Sequence, residues 1–306
     1  MKISRITGPL MLLLTAVIWG FAFVAQKNGM ENLGPSAFNA VRSLIGAAAL
    51  IPVIVFMDLL QGRRPGVFGA ASGNPAAVRN LLTGGGICGV VLTAASLLQQ
   101  YGISSESTGK SGFLTALYIV IVPVVGMFLK RNVSWLRWIA VGTALTGTYL
   151  LCIGPGERLR LSAGDLWLIG CAAAFSVHIL TIDHFAPLAD CVRMACIQFF
   201  LTGVLSLIVA LATGESLAWS GIRAAMIALL FCGVGSSGIA YTLQMVGQKY
   251  VHPVAASLIM SLESVFAMLG GLMFLHEGHS IREYAGCAVI FAAVILAQIP
   301  VGSPRK

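Results

Sequence analysis

Residues 9–27 read PLMLLLTAVIWGFAFVAQK, and no charged side chain occurs in this run before Lys27. An α-helix rises about 1.5 Å per residue, so a run of this length nearly spans the roughly 30 Å hydrocarbon core of a bilayer. The run is too long for the apolar region of a signal peptide and has no small-residue cleavage site before Lys27. It therefore predicts a retained transmembrane helix.

Nine more runs of similar length follow along the chain. They lie at roughly 36–57, 80–101, 109–129, 135–153, 163–181, 191–213, 223–246, 253–275 and 281–300. Hydrophobic residues make up 58% of the chain and charged residues 10%, and the mean hydropathy is +0.90. A soluble protein carries about 25% charged residues. The composition therefore excludes a soluble fold and predicts an all-α integral membrane protein with ten transmembrane helices.

The basic residues carry topological information. Twelve of the 19 Lys and Arg fall in the segments that are cytoplasmic if the N-terminus is inside, six fall in the opposite segments, and Arg42 lies within a helix. Most of this bias comes from the first half of the chain. By the positive-inside rule, both termini and the loop 58–79 are expected in the cytoplasm of a bacterial inner membrane. Because the basic residues occur singly or in pairs between apolar runs, the net charge of +8 does not indicate nucleic-acid binding.

The two halves of the chain show weak internal similarity in the same order. A shift of 145 residues aligns Gln99 with Gln244 and Tyr118 with Glu263, and a shift of 156 aligns Trp19 with Phe175. We therefore expect two five-helix repeats, 1–153 and 163–300. Because five is odd, the second repeat would cross the membrane in the opposite sense, as in the inverted repeats that support alternating access. The polar residues fit this inversion, with Arg42 near the outer side and Arg193 near the inner side.

Several motifs in this order resemble the EamA branch of the drug/metabolite transporter superfamily. They are Trp19-Gly20-Phe21-Ala22-Phe23, Arg42-Ser43-Leu44-Ile45, Gly112 to Tyr118 followed by Pro123, and Leu262-Glu263-Ser264-Val265-Phe266-Ala267 continuing to His276-Glu277. The family pattern usually has Pro where this chain has Ser264, and Gly-Glu where it has His276-Glu277. The resemblance covers nearly the whole chain. It implies secondary transport of small metabolites, often export, without ATP.

Polar residues at membrane depth are the candidate functional residues, because a charge at a helix centre costs about 2.5–3.5 kcal/mol on insertion scales. Glu263 is the strongest candidate, either as a substrate contact or proton relay or as the partner of a structural ion pair. Arg42 and His178 are candidate coupling or structural charges. The predicted substrate-binding set is Trp19, Asn39, Gln99, Gln100, Tyr118, Phe175, His178, Tyr241, Gln244 and Glu263. The aromatic members would form cavity walls, and the amides would orient the substrate.

The sequence favours a non-enzymatic permease that moves a small organic metabolite, such as an amino acid, by alternating access. The alternative is a polyspecific proton-coupled drug efflux pump, and an intramembrane enzyme is a weaker one because no catalytic pair occurs at membrane depth. No cofactor or metal is expected. The stretch His276-Glu277-Gly278-His279 is one residue short of the H-E-x-x-H zinc motif, and the seven cysteines form no ligand pattern. The expected partners are the lipid bilayer and a small-molecule substrate, and the protein is expected to be a monomer or a homodimer.

Overall fold

The computed structural model describes residues 2–69, 74–106, 108–129, 133–154, 162–274 and 280–299. Within these ranges the chain is helical and contains no β-strand. The helices are α1 (Lys2–Met30), α2 (Pro35–Leu60), α3 (Pro75–Ser105), α4 (Thr108–Thr115), α5 (Tyr118–Phe128), α6 (Trp135–Cys152), α7 (Ala163–Phe185), α8 (Cys191–Ala212), α9 (Trp219–Ala224), α10 (Met226–Leu230), a π-helix (Phe231–Ala240), α11 (Tyr241–Gln248), α12 (Pro253–Met260), α13 (Glu263–Phe274) and α14 (Ile281–Gln298). The predicted motif at His276-Glu277 lies outside the described residues.

Nine helical segments of the described chain are long and apolar enough to cross a membrane. Three of them contain more than one helix, namely Ser111–Phe128, Met226–Gln248 and Pro253–Met273. The tenth predicted span corresponds to α6, which begins and ends close to the predicted bounds 135–153. It is not among the nine segments, and Arg137 and three threonines lie in it. The protein is thus an all-helical, multi-pass membrane protein.

The two halves of the chain pack against each other. Helix α2 packs on α8, and α6 packs on α14. Helix α3 contacts both α7 and α8, while α11 packs on α1 and the π-helix packs on α1 and α2. Helix α1 also lies along α13, and α4 and α5 lie along α7. The buried core is therefore formed mainly between the halves rather than within each of them.

Small residues allow the closest of these approaches. A Cβ added to Gly46 of α2 would lie 2.6 Å from the Cβ of Ser237 in the π-helix, and one added to Gly233 would lie 2.6 Å from Ile45. A side chain at either glycine would clash, so the small residues fix the separation between α2 and the π-helix. Arg42 lies one turn before Gly46, so this packing also brings its backbone close to the π-helix.

A buried ion cluster joins the end of α2 to the start of α8. It consists of Asp58, Asp190 and Arg193, and both Asp58 and Arg193 are only 1% exposed. The Arg193 guanidinium donates to the Asp58 carboxylate and, over 2.8 Å, to Asp190 Oδ2. The other Asp58 oxygen accepts from the backbone N–H of Gly66 at 3.1 Å, which ties the following loop to the cluster. The desolvation of these charges is offset by mutual pairing and by hydrogen bonds.

Candidate functional site

Two membrane spans are interrupted at equivalent places. Helix α4 ends at Thr115 and α5 begins at Tyr118, while α12 ends at Met260 and α13 begins at Glu263. Each of these boundaries is shifted by 145 residues between the halves. The interruptions also share their hydrogen bonds. The N–H groups of Ala116, Leu117, Ile119 and Ile121 bond to Gly112, Leu114, Ala116 and Leu117, and the residues 145 positions later repeat all four bonds.

Two of the four bonds in each interruption run from residue i to residue i−3, so the helix tightens locally into a 3₁₀ turn. Such a turn in the middle of a helix often marks a functional hinge. Tyr118 and Glu263 are the first residues after the two turns, and their side chains meet. The Tyr118 hydroxyl donates to Glu263 Oε1 over 3.2 Å, and both residues are buried.

Helix α1 crosses the second interruption at Gly20. A Cβ at this position would lie 2.5 Å from the Phe266 Cβ and 2.7 Å from the Glu263 carbonyl oxygen. Only glycine allows this approach, which brings the neighbouring Trp19 beside Tyr241 with ring centroids 4.6 Å apart. The Trp-Gly pair thus positions an aromatic side chain next to the interrupted helix.

These elements surround a small cavity of about 30 Å³. Fifteen residues from both halves line it. They are Trp19, Ala22, Phe23, Gln26, Arg42, Gln99, Thr115, Tyr118, Phe175, Ile179, Ser236, Tyr241, Gln244, Met260 and Glu263. Apolar and aromatic walls with a few polar groups are typical of small-molecule sites.

Two ionisable side chains, Arg42 and Glu263, face this cavity and do not pair with each other. Among the described residues, the recorded ion pairs join Arg193 to Asp58 and Asp190, and neither Arg42 nor Glu263 takes part in one. Arg42 and Glu263 are each 5% exposed. Two neutral groups of the lining, Trp19 Nε1 and Gln244 Oε1, are buried without a protein partner. The cavity therefore offers unused charges, donors and acceptors to a polar molecule.

Seven of the ten predicted binding residues line the cavity, and so does Arg42. The seven are Trp19, Gln99, Tyr118, Phe175, Tyr241, Gln244 and Glu263. The remaining three, Asn39, Gln100 and His178, are buried beside it. Gln100 donates to Gln26 Oε1 at 2.5 Å, and His178 Nε2 lies 3.1 Å from Gln198 Oε1. These side chains are engaged by neighbouring amides behind the lining.

Sequence reasoning missed some of the lining residues. Thr115, Phe23 and Ile179 could have been found, because Thr115 lies 145 residues before Met260 and Phe23 lies 156 residues before Ile179, the shifts that align the other pairs. Gln26 and Ser236 carry no such signal. They enter the lining through the packing of α1 and the π-helix.

Known proteins are similar to this chain over nearly its whole length. The model of the EamA-like transporter family matches twice, over residues 6–153 and 162–298. An uncharacterized transporter of Archaeoglobus fulgidus is 26% identical over 300 residues, which cover 98% of this chain and 88% of that protein. The uncharacterized transporter YoaV of Bacillus subtilis is 24% identical over 286 residues, which cover 92% of each chain.

A solved crystal structure shares the fold. It superposes with a TM-score of 0.76 at 18% identity, and the match covers 95% of this chain and 96% of the other. The apolar helices imply a lipid bilayer as surroundings, and the relatives that carry names are transporters. On the two matches of the family model, which together cover nearly all of the sequence, the chain belongs to the EamA-like transporter family.

Proposed function

We propose that this protein is a secondary transporter that moves a small organic metabolite, such as an amino acid, across a bacterial inner membrane by alternating access. The observation that carries the proposal is the cavity at the two interrupted spans, where Tyr118 of the first half meets Glu263 of the second. In many secondary transporters, discontinuous helices at the interface between repeats form the substrate site.

The proposed architecture is ten transmembrane helices, with α6 as the fifth, in two inverted repeats at 1–153 and 163–300. Support comes from the matched interruptions with their repeated hydrogen bonds. The helix packing supports it as well. Corresponding spans of the two halves have corresponding neighbours. For example, α3 packs on α7 and α8, and its counterpart Met226–Gln248 packs on α1 and α2.

The lining supports the same repeat. Ten of its fifteen residues form five pairs at the two shifts, namely Trp19 with Phe175, Phe23 with Ile179, Gln99 with Gln244, Thr115 with Met260, and Tyr118 with Glu263. In the proposed repeat, the two halves contribute equivalent positions to one cavity. In an inverted repeat, exchanging the conformations of the halves would open the same cavity to the other side of the membrane.

A polyspecific proton-coupled drug efflux pump is the alternative function. Many such drugs are lipophilic cations, which the carboxyl of Glu263 in the lining would attract and the unpaired guanidinium of Arg42 would repel. A lining that holds both groups favours a metabolite with its own polar groups over a simple lipophilic cation.

Transport by purified protein in liposomes tests the proposal. We expect uptake or efflux of one or more compounds from a panel of amino acids, organic acids, sugars and cationic drugs, with and without a pH gradient. A rate that rises with the gradient would identify proton coupling, and a rate independent of it would identify uniport or exchange. If no compound on the panel crosses faster than through protein-free liposomes, the proposed function is contradicted.

The lining can be tested by single substitutions. Trp19→Ala removes an aromatic wall worth about 1.4 kcal/mol of contact, so we expect a roughly tenfold higher KM for the transported compound. Gln244→Ala removes a hydrogen-bonding group worth about 0.5–1.5 kcal/mol, so we expect the KM to rise roughly two- to tenfold. Trp219→Ala, at an exposed tryptophan outside the cavity, is the matched control. Unchanged KM values for both lining variants would place the substrate elsewhere.

The proposed orientation puts both termini and the 58–79 loop in the cytoplasm. Arg64 lies in this loop, Ser216 lies in the loop after α8, and both are exposed. A membrane-impermeant maleimide added to intact cells should label Ser216→Cys, and should label Arg64→Cys only after permeabilisation. The unaltered chain is the control, because five of its seven free cysteines are buried. The reverse labelling pattern would invert the topology.

A further inference from the structure

Arg42 holds a guanidinium in the cavity that the described residues do not neutralise. Its Nε donates to Asn39 Oδ1 over 2.9 Å, and this is the hydrogen bond that the described chain provides for the side chain. A buried charge without a counter-charge is costly, and within a membrane such a residue is a candidate for contact with a substrate. The free edge of the guanidinium, with its Nη1 and Nη2 groups, remains for such a ligand.

Asn39 is itself held in place by both halves of the protein. Its Nδ2 donates to Ser96 Oγ over 2.9 Å and to Ser206 Oγ over 2.8 Å. Ser96 lies on α3 and Ser206 on α8, so three helices fix the amide. With Nδ2 committed in this way, Asn39 presents its oxygen to Arg42. The bond therefore orients the guanidinium plane, which is the requirement for a two-point contact with a carboxylate.

We propose that the transported substrate carries a carboxylate and that Arg42 binds this group, oriented by Asn39. The inference rests on the proposed transport function and narrows its substrate class. Arg42 is the binding residue in this arrangement. Asn39 acts through Arg42 and is a positioning residue.

The other charges of the cavity favour a carboxylate over a phosphate ester. Glu263 faces the same cavity, and a dianionic phosphate would need more than one cation there. A carboxylate carries one negative charge, which can pair with Arg42 and is repelled less by Glu263 than a dianion would be. The indole N–H of Trp19, buried without a protein partner in the same lining, is a second donor for an anionic or polar group.

Matched compounds in proteoliposomes test the inference. The probes are carboxylic acids of several sizes, including L-leucine, L-phenylalanine and 3-phenylpropanoate, each paired with its carboxamide, together with phenyl phosphate. We expect one or more acids to be transported at least tenfold faster than their carboxamides, and phenyl phosphate to be excluded. Carboxamides transported as fast as their acids would overturn the inference but leave the transport function intact. A panel without any transported compound would contradict the transport function as well.

Variants of Arg42 give the second arm of the test. Arg42→Gln should raise the KM of a transported acid at least tenfold and remove the preference for the acid over its carboxamide. Arg42→Lys should retain part of that preference, because it keeps the charge but loses the planar fork. Arg79→Gln removes an exposed cation outside the cavity and serves as the matched control. An Arg42→Gln protein that still prefers acids would overturn the inference.

Asn39→Asp tests whether Asn39 orients the guanidinium of Arg42 or only fills space between helices. The substitution keeps the size of the side chain but places a carboxylate beside the guanidinium of Arg42, where it would compete with the carboxylate of the substrate. We expect the KM for the acid to rise more in Asn39→Asp than in Asn39→Ala, while kcat changes less than KM in both variants. If Asn39→Asp binds the acid as tightly as the unaltered protein, Asn39 does not act through Arg42.

Discussion

Replacing Glu263 with glutamine is expected to abolish transport driven by a pH gradient while leaving the protein folded. Glu263 is buried in the cavity lining, and among the described residues it accepts a hydrogen bond from Tyr118 and has no cation within ion-pair distance. Glutamine keeps the size of the side chain and can still accept that bond, but it cannot gain or lose a proton. A carrier that uses this carboxyl to load and release a proton would therefore stop.

The measurement is accumulation of the substrate in proteoliposomes with an imposed pH gradient. Glu263→Asp should retain partial activity with a shifted pH profile, because a carboxyl remains but is displaced. Glu31→Gln, at an exposed glutamate, is the matched control. If Glu263 instead served a structural ion pair, Glu263→Gln would lower the thermal unfolding temperature. Normal gradient-driven accumulation by a stable Glu263→Gln protein would contradict the relay role.

Replacing Arg193 with methionine is expected to cause the largest loss of stability. Methionine fills much of the volume of the side chain but leaves Asp58, which is 1% exposed, without its counter-charge. Removing one partner of a buried pair costs about 3–5 kcal/mol. We therefore expect a markedly lower unfolding temperature of the detergent-solubilised protein, or a loss of folded protein on expression.

Second variants keep this prediction testable if Arg193→Met does not fold. Combining Arg193→Met with Asp58→Leu removes both buried charges and should recover much of the lost stability. Asp190→Asn should cost less than Arg193→Met, because Asp190 is 28% exposed. An Arg193→Met protein that unfolds at the same temperature as the unaltered chain would show that the ion cluster contributes little.

Most of the apolar runs predicted the described helices to within a few residues, although α1 begins at Lys2 instead of residue 9 and α3 at Pro75 instead of residue 80. The predicted run 191–213 corresponds to Cys191–Ala212, and 253–275 corresponds to Pro253–Phe274 with its interruption. Hydropathy could not reveal the interruptions at 116–117 and 261–262, because three of these four residues are apolar and the fourth, Ser261, is one of three serines in the run 253–275. It also could not reveal the π-helix, whose backbone depends on how its glycines and serines pack against α2.

The cavity lining was predictable where the two halves contribute positions related by the internal shifts. Trp19 and Tyr118 were selected through the internal shifts and Glu263 as a charge at membrane depth, and all three line the cavity. Asn39 and His178 were selected as polar residues at membrane depth, and they lie behind the lining. Polarity alone does not tell whether a side chain faces the cavity or a neighbouring amide. The ion cluster was not predictable, since Asp58 and Arg193 are 135 residues apart in the chain.

The contact between Tyr118 and Glu263 has a consequence for coupling stoichiometry. In a dimer of identical five-helix chains, a residue on the twofold axis would meet its own copy, so a carboxyl there would face a second carboxyl. Two such groups in contact repel each other when both are ionised and titrate as a coupled pair. A single chain that carries both proposed repeats can place a phenol opposite the carboxyl instead. The two halves can then keep equivalent backbones, while the contact between them contains one carboxyl, which can carry one proton per cycle.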